Sequence, residues 1–299
     1  MNILLAEYTV HHDPALAPEG RAMLQVLADS FARIGCTVHT PHPGKDFGEE
    51  MVRLASLCDE GLVIAPDSLL ARYTKMVEDH TRNIGCNSFS VAVCANKKRA
   101  GMILQSHGIA VPAEITEGKR ILKQITGCGA QHMRYLDQDP LEGEFGQEYI
   151  EGEHLSLSLV GSRVVGETCL YYSGTKPLFL AINRQDIRFN PDGSVSYHGG
   201  ETPVHHSREQ EIYDIGAKAL NVLGCQGYVG VDMVVTADRI YVVDVNPRMT
   251  TSIVGIARCM KEELARVILD ASYGKAPESV HLAGHASFSS DGTVTYAGN

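Results

Sequence analysis

Apolar residues in the first ninety positions alternate between the spacing typical of strands and the spacing typical of helices. Short continuous apolar runs predict strands, and apolar residues three or four positions apart predict helices between them. The predicted strands are 3–6, 37–40 and 62–65, and the predicted helices are 19–34, 47–58 and 69–84. A helix between successive strands favours a parallel sheet with right-handed crossovers. We therefore predict that residues 1–95 form an αβα domain of Rossmann-like type.

The turn after the first strand does not fit a dinucleotide-binding domain. Such a domain carries a Gly-x-Gly-x-x-Gly turn at this position, whereas residues 6–12 read Ala-Glu-Tyr-Thr-Val-His-His, which excludes an ordinary dehydrogenase. Ligands of open α/β sheets nevertheless bind at the carboxyl ends of the strands. The polar residues at these ends are therefore either substrate-pocket candidates or solvated loop residues, namely Glu7, Tyr8, His11, His12 and Asp67.

The pattern changes after residue 95, because one helix at 98–107 is followed mainly by short strands. The predicted strands are 120–123, 132–136, 155–160, 228–235 and 240–245, with short pieces at 286–288 and 293–296 near the C-terminus. Residues 237–239 form a turn between two of these strands, which predicts a hairpin over 228–248. The fold class is thus mixed, with an α/β domain over 1–95 and an α+β domain over 96–299.

Charge and cysteine spacing narrow the class of protein. The net charge of −10 argues against a protein that binds nucleic acid by neutralising its phosphates. No run reaches roughly 18 apolar residues, and the N-terminus lacks the features of a signal peptide. The eight cysteines show no Cys-x-x-Cys spacing. We expect a cytoplasmic protein with small-molecule partners, no nucleic-acid or membrane partner, and a homo-oligomeric state left open.

The hairpin at 228–248 carries the densest group of candidate functional residues. Asp244 and Asn246 are two residues apart on one strand and share a face, and the neighbouring strand can bring Asp232 to that face. Three oxygen ligands without His or Cys suit Mg²⁺ or Mn²⁺ bridging phosphates. Arg248 would supply a permanent charge for a phosphoryl or carboxylate group. An ordinary hairpin, in which Asp-Val-Asn-Pro only begins a turn, explains the same residues.

A second candidate lies in a flap at about 118–145, where a strand ending at Lys123 leads into a glycine-bearing loop. Backbone amides at Gly127 and Gly129 could close over phosphates beside this lysine. A plain hairpin turn would have the same sequence. The position of the loop between two strands, more than the Gly-x-Gly motif, makes it a candidate.

A third candidate is the segment 147–154, which precedes an alternating strand. An adenine ring needs apolar side chains on its faces and a backbone carbonyl and amide at its edge. Tyr149 and Ile150 could supply both, and Glu153 could accept hydrogen bonds from ribose hydroxyls. An acidic loop between two strands is the alternative.

These pieces, in this order and at this spacing, resemble the ATP-grasp superfamily. The series starts at Asn96-Lys97, runs through the flap and the 147–153 segment, and ends at Arg248. The resemblance covers about 96–285, and the preceding αβ segment resembles the N-terminal domain of that superfamily. It implies an ATP-grasp fold with ATP held between two α+β lobes, together with two Mg²⁺ or Mn²⁺ ions.

The resemblance also implies roles for individual residues. It assigns phosphate binding to Lys97, Lys123 and the glycine loop, adenine binding to Glu148, Tyr149 and Ile150, ribose binding to Glu153, and metal binding to Asp232, Asp244 and Asn246. Arg184 lies where the superfamily often places contacts to the γ-phosphate and the acyl substrate. The middle metal ligand is often Glu in the superfamily and is Asp244 here, which leaves the metal geometry and the preference between Mg²⁺ and Mn²⁺ open.

Four short matches are more specific: Leu5-Ala6-Glu7-Tyr8, Glu19-Gly20 with Met23-Leu24, Asn183-Arg184-Gln185, and Asn246-Pro247-Arg248. They look most like the ligases that join L-glutamate to tyramine in methanofuran and methylofuran biosynthesis. This resemblance implies that an acyl phosphate forms from ATP and a carboxylate and that an amine then attacks it. Arg248 would stabilise the developing charge, and a carboxylate such as Glu7 or Glu19 would hold and deprotonate the amine.

Three alternatives remain beside this ligase. The enzyme could join another amino acid and amine, or it could be a phosphotransferase that stops at a phosphorylated product. It could also be a nucleotide-binding regulatory module without turnover. The complete set of lysines and metal-ligand candidates argues against the regulatory module, because a relic would be expected to lose a ligand.

Overall fold

The computed structural model of the protein describes residues 1–127, 133–165 and 172–298. Within these residues the strands form a four-stranded, a seven-stranded and a three-stranded sheet. The described helices include none that is both long enough and apolar enough to cross a membrane.

The N-terminal part alternates strands and helices, as predicted. Its elements are β1 (Asn2–Glu7), α1 (Thr9–His12), α2 (Ala17–Arg33), β2 (Thr37–His39), α3 (Phe47–Ala55), β3 (Glu60–Ile64), α4 (Asp67–His80) and β4 (Arg82–Asn83). The strands are parallel in the order β2-β1-β3-β4, and β1 and β3 are buried almost throughout because helices pack on both faces. The prediction of a parallel-sheet domain is confirmed.

One predicted helix, at 69–84, ends earlier than its apolar pattern suggested. Helix α4 stops at His80, and Thr81 is extended with its hydroxyl donating to the Cys58 carbonyl oxygen. The following residues Arg82 and Asn83 pair with β3 as a short strand. Helix α4 therefore ends before Thr81, because the hydroxyl of this residue has a hydrogen-bond partner outside the helix.

The middle of the chain forms two helices and a small antiparallel sheet. These elements are α5 (Ser88–Ala95), α6 (Lys97–Ser106), β5 (Arg120–Gln124), β6 (Arg134–Leu136) and β7 (Glu144–Gln147), with the strand order β6-β5-β7. Asn96 separates the two helices and caps the second, because its side chain accepts a hydrogen bond from the Arg99 amide. The flap predicted at 118–145 coincides with this sheet, although β7 was not predicted.

The rest of the chain forms a large antiparallel sheet with helices packed on it. Its elements are β8 (Glu153–Val165), β9 (Tyr172–Phe189), β10 (Val195–Thr202), α7 (Glu209–Val222), β11 (Gly227–Val235), β12 (Ile240–Asn246), α8 (Ile253–Cys259), α9 (Leu264–Ser272), β13 (His285–Ser289) and β14 (Val294–Ala297). The strand order is β12-β11-β8-β9-β10-β13-β14. The C-terminal pieces therefore form a hairpin that extends the sheet beyond β10.

Two apolar clusters hold these parts together. On β1, Leu4 and Ala6 belong to one cluster while Ile3 and Leu5 belong to the other, because alternate residues of a strand face opposite sides of a sheet. Each cluster also contains residues of the large antiparallel sheet, such as Leu157 in the first. Both cores therefore cross residue 95, and the division of the chain there stays a prediction.

The packing around Leu157 predicts a large effect of truncation. Leu157 is 0% exposed, and a Cβ added at Gly216 would lie only 2.3 Å from its Cδ2. We expect Leu157→Ala to lower the free energy of unfolding by about 2–5 kcal/mol, because the site cannot collapse around the lost atoms. The matched control is Leu57→Ala, since Leu57 is 63% exposed and should change stability by less than about 0.5 kcal/mol. Urea unfolding measures both, and equal losses would contradict the assignment of the core.

Candidate active site

A cavity of about 670 Å³ lies where the three sheets meet. Its wall includes Glu7 and Ile64 at the carboxyl ends of β1 and β3, Lys123 on β5, and Asp232 and Asp244 on β11 and β12. Open α/β sheets bind ligands at the carboxyl ends of their strands, and the N-terminal sheet follows that rule here.

The hairpin of β11 and β12 brings the three predicted metal ligands to one side. Asp232 pairs with Asp244 in the strand register, and Gly230 pairs with Asn246. Asn246 Nδ2 donates to Asp232 Oδ2 over 3.0 Å, and all three side chains line the cavity. The strand register shifts directly after Asp232, so the two strands are irregular at the site.

The carboxylates of Asp232 and Asp244 face each other and repel each other. Burial, followed by the charge of Asp244, raises the pKa of Asp232 to about 6. Burial also raises the pKa of Asp244, but Lys97 and Lys123 outweigh it and bring the pKa below its usual value. Two buried carboxylates and an amide oxygen form a ligand set that suits a divalent cation such as Mg²⁺. The residues present therefore fit the metal that the resemblance implies.

The two predicted phosphate lysines lie beside these carboxylates. Lys97, the first residue of α6, contacts the carboxylate of Asp244 directly. Lys123 Nζ donates to the Val243 carbonyl oxygen over 2.9 Å, and burial lowers the pKa of Lys123 to about 8. Both side chains line the cavity, so two cations converge on the space in front of the hairpin.

The glycine loop of the flap is described only in part. Gly127 lines the cavity next to Gln124. Gly129 lies outside the described residues, which resume at 133. The closure of this loop over phosphates stays a prediction.

An apolar part of the cavity agrees with the predicted adenine slot. Tyr149 and Ile150 line it. The ring centroid of Tyr149 lies 4.7 Å from that of Tyr135 and 5.1 Å from that of Phe189. Two hydrogen bonds hold the segment with Glu148 against Ala113. Glu148 Oε1 accepts from the Ala113 amide over 2.8 Å, and the Glu148 amide donates to the Ala113 carbonyl oxygen. The slot is walled by side chains suited to an aromatic ring.

Arg184 and Glu153 lie outside the group of residues that line the cavity. Arg184 is 51% exposed, and its guanidinium lies 3.1 Å from Glu153 and 3.2 Å from Glu201. Its neighbour Gln185 lines the cavity instead and donates to Asp232 Oδ1 over 2.9 Å. Alternation along β9 turns one residue outward where the next turns inward. The structure thus places Arg184 and Glu153 in a surface ion pair, and their substrate and ribose contacts stay a prediction.

Arg248 lies in the wall of the cavity, as its predicted role requires. Its Nε is 3.4 Å from Asp67 Oδ1, and its Nη1 donates to the Met249 carbonyl oxygen over 3.1 Å. Asp67 was one of the strand-end candidates, and it does not itself line the cavity.

A second polar group lines the cavity next to the N-terminal domain. Glu7 is only 4% exposed and accepts hydrogen bonds from the Thr9 hydroxyl and the Val10 amide, each over 2.7 Å. Burial raises the pKa of Glu7 above its usual value. Glu19 accepts a hydrogen bond from the Thr251 hydroxyl. Two carboxylates therefore face the cavity near its wall of N-terminal residues.

Some of these residues gave little or no signal in the sequence. Tyr197 and Thr251 line the cavity beside Glu19, but neither belongs to a motif. The pKa of Tyr197 is raised by burial and then by the charges of Asp232 and Glu19, so its hydroxyl lies near both groups. Gln185 had a weaker signal, as the residue next to the predicted Arg184.

Buried lysines facing paired carboxylates, beside an aromatic slot, define an enzyme that binds a nucleotide with a divalent cation. A family model for the ATP-grasp domain matches residues 94–252. The chain therefore belongs to the ATP-grasp family, whose enzymes use ATP and Mg²⁺, and it is a ligase of that family.

Curated relatives are similar along most of the chain. A tyramine–L-glutamate ligase from Methanocaldococcus fervens is 30% identical over an alignment of 284 residues and is matched by 85% of this chain, with 89% of the relative covered. A tyramine–L-glutamate ligase from Methanocaldococcus jannaschii is 29% identical over 284 residues, covering 85% of this chain and 84% of the relative.

Solved structures agree on the fold. An ATP-grasp superfamily protein from Archaeoglobus fulgidus has a TM-score of 0.73 and 25% identity, covering 96% of this chain and 92% of that protein. An L-amino acid ligase from Bacillus licheniformis has a TM-score of 0.70 at 14% identity, covering 96% of this chain and 78% of that one. The predicted ATP-grasp fold is confirmed.

Asp244 is the residue on which we expect turnover to depend most. We predict that Asp244→Ala lowers ATP turnover by about 100-fold or more, because a lost ligand and counter-charge remove several kcal/mol of charge stabilisation. ADP release measures this effect, and titration with ADP at varied Mg²⁺ shows whether cation-dependent binding is lost as well. Asp238→Ala is the matched control, since Asp238 lies exposed in the turn of the same hairpin. Full turnover in Asp244→Ala would remove this residue from the metal site.

Proposed function

We propose that the protein joins the γ-carboxyl group of L-glutamate to the amine of tyramine, with ATP converted to ADP and phosphate. Such a product would serve the biosynthesis of a one-carbon cofactor of the methanofuran or methylofuran type. The observation that carries the proposal is one cavity with two chemically distinct parts. Its lining includes the cations and candidate metal ligands of the hairpin region as well as the carboxylates of Glu7 and Glu19 from the N-terminal part, and we assign these two groups to different substrates. The similarity to two tyramine–L-glutamate ligases supports the choice of substrates.

The first step activates the carboxylate. A carboxylate and an amine do not condense in water, so a carboxylate oxygen of glutamate attacks the γ-phosphorus of ATP and ADP leaves, giving an acyl phosphate. Lys97 and Lys123 are placed to neutralise phosphate oxygens, and their burial strengthens this attraction. The divalent cation, when bound, supplies further charge neutralisation at the phosphates. We expect two ions, Mg²⁺ or Mn²⁺, held by Asp232, Asp244 and Asn246.

The second step needs a neutral amine next to the acyl phosphate. Tyramine arrives as an ammonium ion, which a carboxylate can bind and deprotonate. Glu7 suits this role because its carboxylate lines the cavity and burial raises its pKa above the usual value, which makes it a stronger base than an exposed carboxylate. The amine then attacks the carbonyl carbon, phosphate leaves, and Arg248 stabilises the negative charge of the tetrahedral intermediate.

The cavity next to these carboxylates also has room and surface for an aromatic ring. Leu16 and Met23 of the N-terminal part line it as apolar residues. Tyr197 and Ser290 add hydroxyl groups that can hydrogen bond to a phenol. An amine with an aromatic body and a polar tip therefore matches this lining better than a small aliphatic amine does.

A direct assay tests the substrates. The protein is incubated with ATP, Mg²⁺, L-glutamate and tyramine, and ADP, phosphate and product mass are followed together. We expect one ADP, one phosphate and one amide per turnover, with no amide when either substrate is omitted. ADP release that is independent of the amine, without amide, would identify a phosphotransferase instead. Amide formed only with another acid or amine would keep the ligase and reject this substrate pair.

The assignment of the amine to Glu7 and Glu19 predicts a selective kinetic defect. We expect Glu7→Gln and Glu19→Gln to lower kcat/KM for tyramine by about 10-fold or more, because a hydrogen bond to a charged group is lost. The KM for ATP should change much less, since the phosphates bind elsewhere in the cavity. Glu49→Gln is the control, because Glu49 is exposed in α3. A defect confined to ATP binding would contradict the assignment.

Gly20 provides an independent test of the same position. A Cβ built at Gly20 would lie 2.6 Å from Glu7 Cδ and 2.4 Å from the Thr9 hydroxyl oxygen. We therefore expect Gly20→Ala to displace the Glu7 carboxylate and to raise the KM for tyramine. Gly101→Ala in α6 is the control, because no atom lies within 4 Å of a Cβ built there. An unchanged KM for tyramine in Gly20→Ala would argue against a role of Glu7 in amine binding.

A further inference from the structure

A buried carboxylate from the N-terminal domain lies directly behind the charged part of the cavity. Asp67 is 7% exposed and begins helix α4, one residue after Pro66. Pro66, Lys97 and Arg248 line the cavity, whereas Asp67 does not. Asp67 is therefore placed to act through its neighbours.

Each oxygen of this carboxylate faces a different cation of the site. Asp67 Oδ1 lies 3.4 Å from Arg248 Nε, and Oδ2 lies 3.8 Å from Lys97 Nζ. Both cations are themselves largely buried. The carboxylate therefore places negative charge beside both cations in a poorly solvated region, where Lys97 also contacts Asp244.

The three residues come from three separate parts of the chain. Asp67 follows β3 of the parallel sheet, Lys97 starts α6, and Arg248 follows β12 of the large antiparallel sheet. A single side chain thus connects the N-terminal domain to two cations that line the cavity. Burial raises the pKa of Asp67 above its usual value. The positive charges of Arg248 and Lys97 act in the opposite direction, because they stabilise the ionised carboxylate.

We propose that Asp67 is a positioning residue that fixes the side chains of Arg248 and Lys97 toward the transferring phosphoryl group. The role of these two cations rests on the proposed function, and the role of Asp67 goes beyond it. The physical reason is orientation. A flexible Arg or Lys side chain that already lies in its working position loses less conformational freedom when a phosphate or acyl phosphate forms.

The turnover test is a double-mutant cycle with Arg248. We expect Asp67→Ala to lower kcat by about 10- to 100-fold, in the range typical of groups that orient a functional side chain. In an Arg248→Ala background the same change should lower kcat by a smaller factor than in the wild type, because only Lys97 is left to position. Asp67→Asn keeps the shape of the side chain and one acceptor oxygen but lacks the charge, and we expect it to lower kcat as well.

A binding test does not depend on the identity of the acid or the amine. The affinity for MgADP is measured for Asp67→Ala, Lys97→Ala and the double variant. We expect a weaker affinity in each single variant, and in the double variant a further loss relative to Lys97→Ala that is smaller than the loss that Asp67→Ala causes in the wild type. If the wild-type protein forms no amide from glutamate and tyramine, the proposed substrates fail, and this binding cycle still decides the role of Asp67.

Asp46→Ala is the matched control, because Asp46 caps helix α3 of the same domain by accepting from the Glu49 amide. It should lower the unfolding midpoint, as the loss of a helix-terminal carboxylate does, without changing kcat. If Asp67→Ala fails to fold, Asp67→Asn replaces it in both cycles. The inference would be overturned if Asp67→Ala changed kcat and the affinity for MgADP by the same factor in the Arg248→Ala and Lys97→Ala backgrounds as in the wild type. Such independence would show a merely structural role.

Discussion

The structure depends on one electrostatic constraint, which is the burial of Asp232 opposite Asp244 on two paired strands. Two carboxylates that face each other and are largely shielded from solvent cannot both stay ionised without positive charge or hydrogen-bond donors nearby. The protein meets this demand with Lys97 in contact with Asp244, and with Gln185 and Asn246 donating to Asp232. The arrangement that satisfies the carboxylates is also the one that can receive a nucleotide phosphate and its cation.

The N-terminal sheet contributes to the same cavity from the opposite side. Its parallel strands end at one edge, which places Glu7 at the end of β1 and Asp67 after β3 near the large antiparallel sheet. Glu7 faces the cavity, whereas Asp67 stays behind it between two cations. One sheet edge therefore supplies both a group suited to an ammonium ion and a group suited to orienting the cations.

Much of the fold and part of the site could be predicted from local sequence. The parallel sheet and the hairpin at 228–248 were predictable, because their apolar periods are clear and their turns are short. The direction of Arg184 could not be predicted, because Leu180, Ala181 and Ile182 on β9 are all apolar and a period of two does not show which face meets the cavity. Gln185 has that position, and Arg184 pairs with Glu153 at the surface.

By itself, the sequence determined the alternation of strands and helices in the N-terminal part and the pairing of Asp232 with Asp244, which are only 12 positions apart across a short turn. Tertiary structure alone decided the contacts of Lys97 with Asp244 and of Arg248 with Asp67, which are separated by 147 and 181 positions. The physical reason is that local periodicity sets which face of an element is apolar. Only the packing of three sheets around two shared cores brings distant polar residues into one cavity.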